Sequence, residues 1–235
     1  IALLGVKSKN KSDIVRGRRY LLRLLRIEQG WYKVLSSKDL KQISVLGTGL
    51  LGASLTLATM RAFPKVRVVG YSHRGSTREK ARQQGIAHAI CDTVAECVAG
   101  ADLTVLASPI CTFEDLFAEM ASALAPGCVV TDVGSTKQLV HRWAAKLLPR
   151  GAYYVGSHPI AGSEKRGLDF ARDDLFFGAR CILTKTPRTN GDAMERVRAF
   201  WTALGSAVTV MTPTQHDRIL GHVSHLPHAM AAALV

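Results

Sequence analysis

The sequence predicts an α/β protein built on a doubly wound, mostly parallel sheet, followed by the start of an all-helical domain. Three observations predict it. Short β-branched runs alternate with longer helical patterns from residue 42 onward. A glycine-rich turn joins the first of those strands to the first helix. From residue 213 to the end the pattern is helical only.

Taken in order, strand 43–46 leads to a helix over 53–63, and strand 67–71 (RVVGY) to a helix over 77–84. Strand 103–107, helix 113–124, strand 128–132, helix 137–148 and strand 153–156 continue at the spacing parallel crossovers need. After a Gly-rich connection (158–178) come a strand (181–184), a helix (192–204) and a strand (207–211), expected to extend the same sheet. With no Pro/Ser-rich linker and no fixed-period repeat, residues 42–212 read as one dinucleotide-binding domain, with a helical domain starting at 213. The apolar run 229–235 carries no helix stop signal, so that helical domain is expected to continue past Val235.

The 235 residues are 47% apolar and 21% charged, which excludes a disordered chain, and 20 Gly with 8 Pro exclude collagen-like character. No stretch approaches the roughly 18 consecutive apolar residues of a membrane span, so no membrane partner is expected. The net charge is +13, but residues 1–41 hold 11 Lys and Arg against 3 Asp and Glu. The excess therefore sits in a leader, and no nucleic-acid motif follows it, so no nucleic-acid partner is expected. That leader contains RGRRYLLRLLR at 16–26 and admits three readings: an amphipathic helix, a targeting presequence, or translated sequence upstream of the true start. It stands outside the fold argument. Five cysteines, odd in number and without a CxxC pair, suit reduced thiols in a cytoplasmic enzyme, four of them in apolar surroundings.

Gly47-Thr48-Gly49-Leu50-Leu51-Gly52 follows the first strand and opens the first helix. In that context the glycines serve a tight turn, close backbone approach to a pyrophosphate, and close helix–strand packing, with the helix N-terminus supplying N–H groups; this is the Rossmann fingerprint. An NAD site wants a carboxylate at the end of the second strand. Here the strand ends Tyr71-Ser72-His73-Arg74. A hydroxyl, an imidazole and a guanidinium suit a 2′-phosphate instead, so NADP is expected over NAD. Ala107-Ser108-Pro109, at the end of strand 103–107, leaves room for the nicotinamide ribose.

Three polar motifs follow. Asp132-Val133-Gly134-Ser135-Thr136-Lys137 precedes a helix, where Ser135 could equally be a helix cap. Ser157-His158-Pro159-Ile160-Ala161-Gly162-Ser163-Glu164 places a histidine in a Gly/Pro loop at the expected cofactor edge. His222, His225 and His228 have i, i+3 spacing, but Pro227 breaks the helical geometry and no Cys or carboxylate is close, so polar contacts or packing are expected rather than a metal.

GTGLLG, DVGSTK, SHPIAGSE with the following KRG, and VSHLPHA stand in this order across residues 42–235. Together they resemble the prephenate and arogenate dehydrogenase family of tyrosine biosynthesis. The resemblance implies NAD(P)-dependent oxidative decarboxylation of a cyclohexadienyl acid, from prephenate to 4-hydroxyphenylpyruvate or from arogenate to tyrosine. It implies that His158 accepts the ring-hydroxyl proton, that Ser135 lies near that hydroxyl and the nicotinamide, and that Ser163, His225 and His228 line the substrate pocket. It also implies a homodimer, a downstream arginine for the dianionic substrate, and a cytoplasmic location, or a plastid if the leader is a transit peptide. Another NADP-dependent β-hydroxyacid dehydrogenase or imine reductase, or a non-catalytic nucleotide sensor, would share the glycine motif but not need SHPIAGSE with VSHLPHA.

Overall fold

The computed structural model describes residues 40–162 and 164–234. Strands β1 (Gln42–Leu46), β2 (Arg67–Tyr71), β3 (Ala89–Ile90), β4 (Leu103–Leu106), β5 (Val129–Asp132) and β6 (Tyr153–Tyr154) form a six-stranded sheet. Its order is β3-β2-β1-β4-β5-β6 and every pairing is parallel. This is the doubly wound order, with its reversal between β1 and β4. β1, β4 and β5 are buried along their whole length, as a parallel sheet covered on both faces requires.

Helix α1 (Leu50–Ala62) and helix α2 (Gly75–Gln83) follow β1 and β2. Helices α3 (Val94–Val98), α4 (Phe113–Met120) and α5 (Gln138–Leu147) build the apolar layer around Leu106 and Val130, through Cys97, Phe113, Phe117 and Val140. A separate apolar cluster joins Leu55 of α1 to Val45 and Val105 and to Val197, Phe200 and Trp201 of helix α6 (Gly191–Ala203). The rings of Phe176 and Phe200 each meet Trp201 edge-on, at centroid distances of 5.3 and 5.5 Å.

Residues 89–90 and 94–98 are elements the periodicity does not announce, being too short for either template. A local signal for α3 was nevertheless present. Thr93 accepts the Glu96 N–H at 3.1 Å while the Glu96 carboxylate accepts the Asp92 N–H at 3.0 Å, a Thr-x-x-Glu helix start. The fold also begins earlier than residue 42. Leu40 is buried, and the Asp102 carboxylate accepts the N–H groups of both Lys41 and Gln42. The leader stretch 16–26 lies outside the described residues.

One expectation is overturned. The strands after residue 155 do not extend the first sheet; β7 (Gly156–Ile160), β8 (Arg180–Thr184) and β9 (Ala207–Met211) form a second sheet, β7-β8 antiparallel and β8-β9 parallel. The reason lies at Asp132. The Val155 N–H still bonds the Val130 carbonyl, but the next ladder donor, Ser157 N–H, goes to Asp132 Oδ1 at 3.0 Å, and the Ser157 hydroxyl takes the Asp132 carbonyl. Side chains thus replace the ladder and the strand peels away. Gly156 permits the bend, since a Cβ there would stand 2.4 Å from Thr184 Oγ1. His158 consequently sits inside a strand, opposite Ile182, and not in a loop.

Beyond β9, helix α7 (Pro213–Leu220) starts from a capping box between Thr212 and Gln215. A π-turn (Gly221–His225) leads into helix α8 (Leu226–Ala233), with Pro227 in its first turn. No helix among the described residues is long and apolar enough to cross a membrane.

Candidate functional site

Register sets the first half of the site. Leu46 pairs with Leu106 and Leu106 with Asp132, so β1, β4 and β5 end level with one another. The segments 47–52, 107–109 and 133–137 therefore leave the same carboxyl edge. At the usual strand spacing the outer two start roughly 10 Å apart.

Gly47 has φ +114°, and a Cβ there would lie 2.5 Å from the Ser108 nitrogen. A Cβ on Gly52 would lie 1.6 Å from the Gly47 carbonyl oxygen. Gly49 is different: nothing stands within 4 Å of its Cβ position. Two glycines are thus required by the fold itself, and the middle one opens onto space. Gly49 also precedes α1 without a side-chain cap, no acid lies in the first turn at Leu50 and Leu51, and the buried Thr48 hydroxyl has no partner among the described residues. Uncapped N–H groups beside the open space at Gly49 fit a diphosphate group.

At the end of β2, Ser72 is half-buried while His73 and Arg74 are exposed. The Arg78 guanidinium donates to the carbonyls of Ser72 and His73 at 2.8 and 2.9 Å and pairs with Asp92. Arg74 makes no ion pair among the described residues. On the neighbouring strand end, Ser108 shares a hydrogen bond with Thr112 at 2.8 Å, and Ala107 and Pro109 flank it.

The 132–137 motif is organised by a buried ion pair that sequence reasoning missed. Lys137 Nζ donates to Asp132 Oδ2, and both side chains are fully buried. Asp132 further accepts the Tyr154 hydroxyl at 2.8 Å, the Ser157 N–H, and the Gly134 N–H at 3.0 Å. Burial pushes the Lys137 ammonium below its ordinary pKa, with the Asp132 charge opposing. Ser135 is exposed at the tip between them and caps nothing; the cap of α5 comes from α7. Asp217 accepts the N–H groups of Lys137 and Gln138 at 2.8 and 2.9 Å. Helix capping, the bland account of Ser135, is therefore taken by another residue.

His158, on β7, joins this cluster from the second sheet. Its Nδ1 lies 2.9 Å from His216 Nε2, and His216 Nδ1 lies 2.8 Å from Asp217 Oδ1. Neither His216 nor Asp217 is suggested by the motifs; the polar His-Asp pair on α7 is the only local signal, and such pairs are common on solvated helix faces. Burial, followed by the charges of Lys137, His216 and His225, lowers the His158 pKa to about 3, with Asp217 opposing. His141, 2.9 Å from Thr184 Oγ1, is lowered to about 4, chiefly by burial and also by Lys137, with Asp132 and Asp217 opposing. Burial lowers His216 as well.

Of the remaining expected site residues, His225 is half-buried in the π-turn, and its charge is felt at His158. His222 is exposed and turned back on the Arg218 carbonyl at 2.6 Å. His228 falls within α8, its side chain outside the described residues, as is Ser163. No group of three His, Cys, Asp or Glu positioned for a metal occurs among the described residues.

Comparison with known proteins gives a consistent neighbourhood. Residues 55–210 match the family model described as prephenate dehydrogenase, nucleotide-binding domain. A cyclohexadienyl dehydrogenase of Zymomonas mobilis is 33% identical over 195 residues, covering 83% of this chain and 66% of that protein. A prephenate dehydrogenase of Bacillus subtilis is 33% identical over 194 residues, covering 82% of this chain and 52% of that protein. The chain thus spans half to two-thirds of the length of these curated relatives. The crystal structure of Aquifex aeolicus prephenate dehydrogenase in complex with hydroxyphenyl propionate and NAD+ superposes with a TM-score of 0.77 at 33% identity, covering 83% of this chain and 68% of that one.

Two outcomes follow from the site's geometry. Gly49→Ala should keep the melting temperature yet weaken binding of a nicotinamide dinucleotide at least about tenfold, as a lost close approach to phosphate implies. Gly52→Ala should lower the melting temperature; calorimetry and nucleotide titration of both variants separate the two effects. The second outcome concerns acid. His141 and His158 titrate near 6.5 when unfolded but far lower when folded, so the unfolded chain binds more protons between those limits. Stability should be complete above pH 6.5 and fall as pH drops towards about 4 and then about 3. Thermal melts at pH 7 and pH 5 should differ by several degrees, and His141→Gln should flatten that slope; a pH-independent melt contradicts neutral burial of these rings.

Proposed function

This chain belongs to the prephenate dehydrogenase family, and on that footing we propose that it carries out the NAD(P)-dependent oxidative decarboxylation of prephenate or arogenate. The observation that carries the reading is the placement of His158. It is an imidazole held neutral by burial, attached through the adjoining Ser157 to the end of β5, beside the carboxyl edge where the glycine turn opens. A group in that position can reach a substrate lying against a nucleotide bound along the edge.

The bound oxidised nicotinamide supplies a two-electron acceptor for the hydride on the ring carbon that bears the hydroxyl. Residues 47–52 hold the diphosphate through backbone N–H groups at the start of α1, Gly49 leaving the room. Ala107, Ser108 and Pro109 border the ribose next to the nicotinamide. Ser135, at the exposed tip of the 132–137 motif, orients the substrate hydroxyl. His158 takes the hydroxyl proton as the C–H electron pair leaves; the C–C bond to the ring carboxylate then breaks, its electron pair enters the ring, carbon dioxide departs, and the phenolate oxygen takes the proton back from His158 to leave an aromatic phenol. One hydride and one carbon dioxide leave the substrate with no net loss of a proton, and His158 ends neutral as it began. His225, with Ser163 and His228, completes the substrate wall.

For the nucleotide, NADP is proposed over NAD. Arg74 lacks a carboxylate partner among the described residues and stands with His73 and Ser72 at the end of β2, while Arg78, already paired with Asp92, fixes their backbone. A 2′-phosphate would gain a guanidinium there without displacing an existing pair.

Turnover of prephenate and of arogenate with each nucleotide, followed by formation of reduced nicotinamide, tests this reading. It is measured in the chain and in a fusion to the C-terminal remainder of the Zymomonas relative. His158→Asn should cut kcat by about 10²-fold or more while nucleotide affinity is retained; unchanged turnover removes His158 from the reaction. Arg74→Ala should weaken NADP binding by about tenfold and leave NAD binding within a factor of about two; equal loss for both would remove Arg74 from phosphate recognition.

A further inference from the structure

We propose that Asp217, acting through His216, is the positioning residue that fixes the His158 ring with its proton on Nδ1 and its lone pair on Nε2. This rests on the reading of His158 as the proton acceptor and extends it to two residues of α7. The proton positions follow from donor–acceptor balance along the chain of contacts. The Asp217 carboxylate, held ionised, only accepts hydrogen bonds. Burial opposes that ionisation, but the Gln138 N–H, His216 and the Lys137 N–H outweigh it, so its pKa lies below the ordinary carboxylate value.

His216 Nδ1, 2.8 Å from Asp217 Oδ1, must therefore be the donor, which leaves Nε2 of the neutral ring as an acceptor. His158 Nδ1, 2.9 Å from that Nε2, must in turn donate. Each ring has one tautomer left, and for His158 it is the one with a bare Nε2. Free imidazole side chains favour the opposite tautomer, so without the relay the proton would rest on the nitrogen that has to receive one. Once His158 is protonated, the same two contacts place a carboxylate behind the new charge, at one ring's remove.

The anchor is held at several points. The two oxygens of Asp217 also cap the N-terminus of α5 at Lys137 and Gln138, and Lys137 is the partner of Asp132. The relay is thereby tied to the motif that carries Ser135, so α7 sets the base and its neighbour in one act.

The test reads the tautomer directly, without substrate or nucleotide. In the 235-residue chain with 15N-labelled imidazoles, two-bond 15N–1H correlation spectra at pH 7 should show His158 with a protonated Nδ1 and a bare Nε2. His216→Phe should move the His158 proton towards Nε2, whereas His216→Gln, whose amide oxygen can still accept, should hold it on Nδ1. Asp217→Ala should also release it. In the fusion protein, His216→Phe should lower kcat by about tenfold or more with KM within about twofold, and His216→Gln should recover most of that loss. A wild-type His158 protonated on Nε2, or an unmoved His158 signal in a folded His216→Phe chain, overturns the proposal. If His216→Phe does not fold, the wild-type spectrum and the His216→Gln variant still decide it. Failure of the dehydrogenase reading looks different: the tautomer would be as stated, but His158→Asn would leave turnover intact.

Discussion

The arrangement of this site depends on a carboxylate buried at the end of β5. Asp132 accepts four hydrogen bonds, from Lys137, Gly134, Tyr154 and Ser157, which use up the capacity of an ionised carboxylate. A buried ion pair is a poor source of net stability, since desolvating two charges offsets most of their attraction. What it does provide is geometry. The Ser157 N–H that would have continued the parallel ladder is diverted to a side chain, and the chain turns off at Gly156 into the second sheet, two residues before His158.

The second constraint is the level ending of β1, β4 and β5. Parallel pairing in register brings three loops to one rim, and the reversal of strand order at β1 and β4 leaves a crevice there. Two of the three glycines in the first loop are demanded by close contacts within the protein. The third is not, and a residue that the fold leaves open is where a ligand's requirement becomes visible. The second sheet and α7 meet the end of β5 at Asp132 and Lys137, so the glycine turn comes from the first sheet and the His158–His216–Asp217 chain from the second sheet and α7.

The first sheet was legible in the sequence because its cause is local. Buried β-branched runs such as 43–46 and 103–107 and the glycine turn between them announce themselves in a few residues. The second sheet was not, because what separates it from the first is a tertiary hydrogen bond from Ser157 to a carboxylate 25 residues earlier. The site divides the same way. His158, Ser135, Lys137 and the glycines stand in motifs, but the motif does not announce that Lys137 is buried against Asp132. His216 and Asp217 stand in no motif, and nothing in a linear reading shows that α7 docks on the N-terminus of α5.

A neutral imidazole whose pKa is pressed down to about 3 looks too weak a base to remove an alcohol proton. On the proposed reaction the mismatch is only apparent. The proton is not taken from the resting alcohol; it becomes acidic as the carbon beneath it loses its hydride and the oxygen takes on the character of a protonated carbonyl, a far stronger acid. A base needs only to lie between those two limits, and one that is neutral at every working pH is always in the receptive state. A substrate bearing two carboxylates would also oppose the effects of Lys137 and burial, raising the proton affinity of the ring only while substrate is bound. On that reading, what the reaction asks of His158 is less basicity than a lone pair on the correct nitrogen.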